Sequence, residues 1–332
     1  MLRSFSHIYI EDSILTHPRT QSILSKFKNA NVIPIKHYKD VFNRKNQNFT
    51  LQKSKPNLIL AKKTDHFLYP GSGFSPNFSY EHFYYNTLAL NCIYDCEYCY
   101  LQGMFSSANL VLFVNWEDFF QATDAFLEKN KSLYLALSYD TDLLAMESFF
   151  PATTAWMEYA RSRNNLTIEI RTKSANFRGI QNQSPIPNAI LAWTLSPERI
   201  TKEIEHKTPG LSARLDSIRE ASERGWKVRL CLDPILRTKI WKEDYKDLAE
   251  KIKSHLNPTN ITELSIGGFR MNLDFLKEMQ QKRKDSAVLF YPYERSNQIA
   301  TYPSLETKEM LDYVTNLFLD WVPKEKIQVS FG

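Results

Sequence analysis

Three of the four cysteines in this chain lie within eight positions of one another. They are Cys92, Cys96 and Cys99 in the segment CIYDCEYC, so their spacing is C-x-x-x-C-x-x-C. Three thiolates can hold three irons of a [4Fe–4S] cube, and the fourth iron then has no protein ligand. An iron of this kind can bind a small molecule. The cysteines therefore predict an iron–sulfur cluster with one open coordination site.

Two other chemistries also use closely spaced cysteines. A zinc site usually takes four Cys or His ligands, but no fourth cysteine is near and no histidine lies between His82 and His206. Cys96 and Cys99 form the C-x-x-C of a redox thiol pair, which leaves Cys92 without a role. Both alternatives stay open, and both explain the spacing less completely than a cluster does.

Strand-like and helix-like segments alternate after residue 80, which is typical of a parallel sheet covered by helices. Strands are predicted at 83–91, 133–139, 166–173, 189–196, 226–234 and 261–268. Helices are predicted at 116–130, 146–163, 211–225 and 241–256. The sequence thus predicts an α/β protein with six β-α units and a weak link near 174–188.

The predicted strands alternate polar and apolar residues, whereas fully buried parallel strands are usually continuous apolar runs. In IEIRTK, the residues Glu169, Arg171 and Lys173 share one face, and KVRLCLD repeats the pattern. The apolar face must contact helices, so the charged face must line a polar cavity or consist of paired ions. We therefore predict a partial (β/α)6 TIM-type barrel around a polar ligand, with N- and C-terminal additions.

Three regions are predicted: a basic N-terminal region at 1–80, the barrel at 81–275 and a C-terminal extension at 276–332. The boundary at 80 rests on the polar segment SGFSPNFSYEHF. Residues 19–63 contain eleven Lys and Arg but one acidic residue. Such a segment is either a solvated or loose basic lead-in or a surface that contacts phosphates. The net charge of +5 permits an acidic partner without requiring one.

The sequence contains no run of about 18 apolar residues, the length of a membrane-spanning helix. The N-terminus, MLRSFSHIYIEDS, has no long apolar segment of the signal-peptide kind. We therefore expect no membrane association and a cytoplasmic location. In that compartment cysteines serve as metal ligands or redox groups more often than as disulfides.

The cysteine spacing, the strand before it and the β-α pattern after it resemble the radical SAM superfamily. There the open iron binds the amino and carboxylate groups of S-adenosylmethionine. The resemblance implies a [4Fe–4S] cluster on Cys92, Cys96 and Cys99, and S-adenosylmethionine as the second cofactor. It also implies that Tyr98, directly before the third cysteine, lies against the adenine.

Longer segments are similar to the spore photoproduct lyase family. They are CEYCYLQ with the following LVLFVNWEDFF, then EIRTKS, the stretch from AWTLSPERI to CLDPI, and the terminal IQVSF. The similarity covers roughly residues 80–270. In that family a 5′-deoxyadenosyl radical removes a hydrogen from C6 of spore photoproduct, a methylene-bridged thymine dimer. The bridge then breaks and two thymines are regenerated.

The same resemblance implies roles for single residues. Lys173 matches a lysine that pairs with the carboxylate of S-adenosylmethionine. Ser196 and Thr141 match positions beside that cofactor. Tyr98 and Tyr100 match two tyrosines that relay the radical.

One position departs from the family pattern. The family's CTSD segment carries a hydrogen-donating cysteine, and it aligns with YDTD here, so Tyr139 takes the cysteine's place. A phenol can donate a hydrogen atom, but its O–H bond is stronger than the S–H bond of a thiol. Cys231 is either a small buried hydrophobe or a relocated donor, because alternation places it on the face of Arg229 and Asp233.

These observations lead to three function hypotheses. The leading one is a radical SAM enzyme that acts on nucleic acid, as a DNA repair lyase of the photoproduct type, with a flavodoxin- or ferredoxin-type electron donor. The second is a radical SAM enzyme without photoproduct lyase activity, which binds a peptide or small metabolite through Arg171, Arg229 and Asp233. The third is a nucleic-acid-binding protein with a structural cluster, which a three-ligand site disfavours. The aromatic and basic residues of 289–302 suit either stacking on unpaired bases or packing at the barrel mouth.

Overall fold

The computed structural model describes residues 4–71, 78 and 80–330. The strands in these ranges are β1 (His7–Glu11), β2 (Asn31–Ile35), β3 (Leu58–Ala61), β4 (Tyr69–Pro70), β5 (Phe83–Tyr85), β6 (Ala89–Leu90), β7 (Asp95–Cys96), β8 (Leu110–Phe113), β9 (Leu133–Ala136), β10 (Leu166–Thr172), β11 (Ala189–Thr194), β12 (Glu205–His206), β13 (Lys227–Ile235), β14 (Ile261–Gly268), β15 (Arg270–Asn272), β16 (Glu294–Ser296), β17 (Ile299–Thr301) and β18 (Ile327–Ser330). The helices are α1 (Pro18–Lys26), α2 (Lys39–Phe42), α3 (Phe49–Ser54), α4 (Leu101–Met104), α5 (Trp116–Lys129), α6 (Ala152–Ala160), α7 (Glu198–Glu203), α8 (Leu211–Glu223), α9 (Trp241–His255), α10 (Leu273–Lys282) and α11 (Ser304–Asn316). None of these helices is both long and apolar enough to cross a membrane.

The larger sheet has the strand order β18-β14-β13-β11-β10-β9-β5-β4. Its neighbouring strands run parallel, except that β4 pairs antiparallel with β5 at one edge. The sheet curls into a half-barrel, with amphipathic helices such as α5 and α9 on its outside. The predicted partial barrel is therefore confirmed, and its six predicted strands correspond to β5, β9, β10, β11, β13 and β14.

Two predicted elements differ from the structure. The expected strand at 83–91 is two short strands in different sheets, because the chain leaves the barrel at Asn86 to bring β6 beside β8. The Asn86 side chain instead accepts a hydrogen bond from the backbone of Ser138, 3.0 Å away. The expected helix at 146–163 is the shorter α6, which begins directly after Pro151, a residue that favours helix starts.

The N-terminal region forms part of a second sheet with the order β2-β1-β3-β8-β6. Its first three strands are parallel, and β3 pairs in parallel with β8, which lies beyond residue 80. The basic segment is therefore folded and is no loose lead-in. The region boundaries at 80 and 275 stay predictions. The segment SGFSPNFSYEHF, on which the first one rests, lies mostly outside the described residues.

Charged side chains fill the lower interior of the half-barrel. Arg229 contacts Glu169 and donates from Nε to Glu263 at 2.6 Å, and the Tyr134 hydroxyl also contacts Glu169. The guanidinium carbon of Arg229 lies 3.5 Å from the ring centroid of Phe78. Buried ions are tolerated when partners satisfy them. The alternative that the inner charges pair with one another therefore holds for this layer.

The aromatic segment at 289–302 packs at the barrel mouth. Its strands β16 and β17 form a small antiparallel sheet with β15. The rings of Tyr293 and Phe269 stack with centroids 4.7 Å apart, and Tyr291 lies edge-on to Tyr302 at 4.7 Å. Tyr293 and Tyr302 are buried. These ring contacts favour the packing interpretation for the three tyrosines, whereas Phe290 is 51% exposed.

Candidate active site

A cavity of about 550 Å³ lies at the carboxyl ends of the barrel strands, the usual place for a site in a β/α barrel. The residues with predicted roles that line it are Cys92, Cys96, Cys99, Tyr98, Tyr100, Tyr139, Thr141 and Lys173. Ser196 and Cys231 are buried and do not line this cavity. The structure thus brings eight of the ten predicted site residues to one chamber.

The cysteine loop is held by contacts from three distant parts of the chain. The Lys53 ammonium, on α3, donates to the Cys92 carbonyl at 2.6 Å. Strand β7 pairs antiparallel with β12, so that Cys96 lies opposite Glu205. Arg283, beyond α10, forms an ion pair with Asp95. These contacts fix the backbone between the first and second cysteine.

Cys96 is buried, Cys92 and Cys99 are half-buried, and removal from water disfavours the charged forms of all three thiols. Burial raises the pKa of Cys92 to about 12, with a further contribution from Asp142 and an opposing one from Lys53. Burial likewise raises the pKa of Cys96 and of Cys99, and in both the positive charge of Lys173 acts against it. Metal ligation requires thiolates, so the two lysines supply positive charge where a metal centre needs it.

The arrangement of the thiols fits a cube better than a single ion. In the described part of the chain, no group of three His, Cys, Asp or Glu side chains is placed to hold one metal ion. A zinc ion needs its ligand atoms at about 2.0–2.3 Å from one point, whereas a [4Fe–4S] cube distributes three thiolates over three irons. Three thiols that line one cavity match the number of thiolate ligands that such a cube takes from the protein in this arrangement.

Glu205 is the central acidic group behind the cysteine loop. Its carboxylate is fully buried and pairs with the equally buried Arg214 at 2.7 Å. It also accepts hydrogen bonds from the hydroxyls of Tyr98 and of Ser196, the latter at 2.9 Å. Burial raises the pKa of Glu205, but Lys173 and Arg214 outweigh this effect and lower it. Ser196 thus acts on the site through Glu205.

Lys173 joins this group from the end of β10. Its ammonium lies 4.0 Å from Glu205 and 5.4 Å from the ring centroid of Tyr98. Burial lowers the pKa of Lys173, while its electrostatic interactions with Cys96 and Glu205 raise it to a larger extent. The side chain therefore stays cationic and faces the cavity, where it can pair with a carboxylate.

Two buried aspartates shape the segment after β9. Asp142 accepts from the Thr172 hydroxyl at 2.8 Å and from the Lys173 backbone at 2.7 Å, so it holds this segment to the end of β10. Asp140 accepts from the hydroxyls of Thr87 and Tyr100. Burial raises the pKa of both carboxyls, and their hydrogen bonds oppose the rise.

The cavity also presents polar atoms that the protein leaves unsatisfied. The Thr141 hydroxyl and two guanidinium nitrogens of Arg171, Nε and Nη2, are buried without a hydrogen-bond partner in the described residues. Arg171 has only long ion pairs, 3.7 Å to Glu169 and 3.8 Å to Asp233. Asp233 is shared with Arg270, at 3.3 Å. Buried donors of this kind favour a ligand that carries acceptor atoms.

The family model for spore photoproduct lyase matches residues 4–273 of this chain. The chain belongs to the spore photoproduct lyase family. This confirms the predicted resemblance, and members of the family are radical SAM enzymes.

Curated relatives are distant in sequence. Spore photoproduct lyase of Clostridium acetobutylicum is 23% identical over 168 residues, which cover 50% of each protein. The spore photoproduct lyase of Bacillus subtilis (strain 168) is 21% identical over 258 residues, 75% of this chain and 73% of that protein. The chain spans about half the length of the first of these relatives.

Solved structures of spore photoproduct lyase share the whole fold. A variant in complex with dinucleoside spore photoproduct has a TM-score of 0.83 at 16% identity, and the superposition covers 99% of both chains. Another variant, which contains AdoMet as well as the dinucleoside, has a TM-score of 0.81. At this identity the likeness establishes the fold.

Several residues that build the chamber could not be recognised from the sequence. Lys53 lies in a basic run that suggested a surface, and Glu205 and Arg214 lie in ordinary charged segments. The two aspartates of YDTD could have been found, because two acids beside a buried strand end need partners.

The first prediction concerns the buried ion pair. Arg214→Met should lower the free energy of unfolding by about 3–5 kcal/mol, because it leaves the buried Glu205 carboxylate without its main partner. Denaturant unfolding measures this change. Arg219→Met, on the same helix, is the control, since its exposed pair with Asp216 should contribute about 0–1 kcal/mol. Equal effects of the two substitutions would contradict the role of the pair.

Proposed function

We propose that this protein is a radical SAM lyase that acts on nucleic acid and opens a thymine dimer of the spore photoproduct type. The observation that carries the proposal is the shared chamber: three thiols, a cationic lysine and a tyrosine at the donor position line one cavity. Membership of the spore photoproduct lyase family supports the reaction class. The substrate is inferred from relatives whose structures hold dinucleoside spore photoproduct.

The cofactors would be held by residues on one side of the chamber. Cys92, Cys96 and Cys99 would ligate a [4Fe–4S] cluster, and Lys173 and Thr141 would contact S-adenosylmethionine. When bound, this pair supplies a 5′-deoxyadenosyl radical that removes a hydrogen atom from the substrate. The Tyr98 ring, whose hydroxyl Glu205 holds, gives the flat surface that the resemblance assigns to the adenine.

The protein's own groups orient these components. Lys173 offers a charge-assisted hydrogen bond to a carboxylate, and Glu205, 4.0 Å from its ammonium, favours the charged form of the lysine. Arg171 has unsatisfied donors that can receive an anionic part of the substrate.

Tyr139 is the hydrogen donor in this proposal. It lines the cavity, and the Tyr100 hydroxyl donates to its carbonyl at 2.9 Å. Cys231 is fully buried and lies outside the cavity lining, next to the guanidinium groups of Arg171 and Arg229. Access to the substrate therefore favours the phenol over the relocated thiol.

Partners follow from the same reasoning. A nucleic acid would meet the basic residues of 19–63, which lie on the folded N-terminal sheet and its helices. The electron for the cluster would come from a flavodoxin- or ferredoxin-type protein. We also propose that the protein works in the cytoplasm.

A peptide or small metabolite is the second candidate substrate. The Arg171 guanidinium favours it, because buried unsatisfied donors above Asp233 suit a small anion as well as a nucleotide. Arg229 no longer supports this candidate, since its guanidinium forms ion pairs with Glu169 and Glu263.

The second prediction concerns the cluster. Protein purified without oxygen should contain about four irons per chain, and Cys92→Ala, Cys96→Ala or Cys99→Ala should remove them, because two thiolates hold a cube too weakly. Iron and sulfide analysis with the visible spectrum measures this. Cys231→Ala is the matched control and should keep the cluster. Loss of iron in that control would overturn the ligand assignment.

The third prediction concerns S-adenosylmethionine. Lys173→Ala should weaken its binding by about 1.5–3 kcal/mol, the value for a hydrogen bond to a charged group, without loss of iron. Equilibrium binding to the reconstituted protein measures it. Lys202→Ala, an exposed residue on α7, serves as the control. An unchanged affinity in the Lys173 variant would place that lysine outside the cofactor site.

The fourth prediction tests the whole reaction. With S-adenosylmethionine, dithionite and ultraviolet-irradiated dry DNA, the reconstituted protein should form 5′-deoxyadenosine and regenerate thymine, as measured by mass spectrometry. Tyr139→Phe should continue to form 5′-deoxyadenosine but release thymine about tenfold more slowly or worse. In contrast to Tyr139→Phe, Tyr139→Cys should support clean thymine formation. Cys231→Ala should have no effect on thymine formation.

The outcomes separate the alternatives. Thymine formation that survives in Tyr139→Phe and is lost in Cys231→Ala would make Cys231 the donor. Cleavage of S-adenosylmethionine without repair, in both the natural protein and Tyr139→Cys, would favour the peptide or metabolite candidate. Absence of 5′-deoxyadenosine from a protein with a full cluster would exclude the radical SAM proposal itself.

A further inference from the structure

Four aromatic rings form a continuous stack from the cavity wall to the surface. The ring of Tyr139 lies on that of Tyr85 with centroids 5.0 Å apart and planes at 11°. Tyr85 lies on Tyr69 at 5.2 Å and 18°, and Tyr69 lies on His66 at 6.2 Å and 25°. Tyr139 and Tyr85 line the cavity, while His66 is exposed.

The stack is built by strand pairing at the edge of the barrel. Tyr69 of β4 and Tyr85 of β5 are direct cross-strand partners, and such positions bring side chains into contact. The chain then turns at Ser138, whose φ of 56° is in the left-handed region that such residues seldom adopt. The Asn86 side chain holds this turn, which places Tyr139 over Tyr85.

Charged groups lie near two of the phenols in the stack. The Lys63 ammonium donates to the Tyr69 hydroxyl at 2.8 Å. Burial raises the pKa of Tyr85, and the charges of Asp140 and Tyr69 add to this effect. Three phenols in near-parallel contact do more than fill space, because each can exchange an electron with the next, which a phenylalanine ring does not do under mild conditions.

We propose that Tyr85 and Tyr69 form a relay that restores Tyr139 after it has donated its hydrogen atom. This rests on the proposed function only in making Tyr139 the donor. The product carbon radical takes one proton and one electron from the Tyr139 hydroxyl, so a C–H bond forms and a neutral tyrosyl radical remains. Tyr85 then reduces the Tyr139 radical, and Tyr69 reduces the Tyr85 radical that results. A one-electron donor of the iron–sulfur or flavin protein class finally reduces the Tyr69 radical.

The reaction balances without a further reagent. Each ring that loses an electron loses its hydroxyl proton, and each ring that gains an electron regains a proton. Along the stack these changes cancel. The net change is one electron from the external donor and one proton from solvent for each C–H bond formed, and the donor class is the one already required to reduce the cluster.

The relay can be tested without S-adenosylmethionine chemistry. A ruthenium polypyridyl photo-oxidant on the exposed His66 imidazole starts the oxidation, and Tyr139→3-aminotyrosine provides a trap that is easier to oxidise than tyrosine. The readout, on the anaerobic full-length protein, is the electron paramagnetic resonance signal of the trap. His66→Gln, treated with the same reagent, measures oxidation from other labelled histidines.

We expect Tyr85→Phe to lower the trap signal by about tenfold or more, equivalent to about 1.4 kcal/mol in a rate barrier. Phenylalanine keeps the stacking and removes the phenol, so a purely structural role predicts no change. Tyr84→Phe is the matched control, because Tyr84 faces away and packs edge-on to Phe126 at 4.7 Å. An undiminished signal in Tyr85→Phe, or an equal loss in Tyr84→Phe, would overturn the relay.

Turnover separates this inference from the proposed function. In Tyr85→Phe, the first equivalent of thymine should form as in the natural protein, while later turnovers should slow about tenfold. Equal slowing of first and later turnovers would contradict a relay that acts after donation. A protein that passes the trap test but leaves photoproduct unchanged would keep the relay and lose the proposed substrate.

Discussion

The ion pair between Glu205 and Arg214 is the interaction on which the rest of the site depends. Both side chains are fully buried, and burial of a charge is tolerated only when every partner is in place. Those partners come from the cysteine loop through Tyr98 and from the segment after β11 through Ser196. The loop, the strand end and helix α8 therefore reach their final positions together, because none of them leaves the pair satisfied alone.

Two layers of charge in the half-barrel show how packing and function divide the interior. In the lower layer, Arg229 has short contacts to Glu169 and Glu263, so its charge is paired within the protein. In the upper layer, Arg171 has ion pairs of 3.7 and 3.8 Å and two buried donors that form no hydrogen bond within the part of the chain that the structure describes. An unsatisfied buried donor costs free energy, and a ligand in the cavity removes that cost. The alternation of polar and apolar residues along the strands is thus common to both layers. Of the two arginines, only Arg171 in the upper layer keeps donors that a ligand can use.

The sequence could predict the features that depend on residues close together in the chain, and it could not predict contacts between distant segments. The spacing of the three cysteines and the period of two in β10 and β13 are local, so the cluster ligands and the charged inner face could be inferred. The partners of those residues could not, because Lys53, Glu205 and Arg214 reach the site only through the fold. The error at 83–91 has the same origin: both halves of that segment are apolar, and only the exit of the chain at Asn86 separates β5 from β6.

The two sides of the chamber are held by different interactions, so the proposed donor position can differ from the family pattern while the proposed cofactor side keeps it. The cofactor side consists of buried charges that satisfy one another, so a substitution there disturbs several groups at once. The donor side consists of Tyr139 on an aromatic stack at the edge strands β4 and β5. A change from a thiol to a phenol at this position requires space and a flat neighbour, and Tyr85 provides both. The proposed donor can therefore change its chemistry without any change in the charges that hold the cysteine loop.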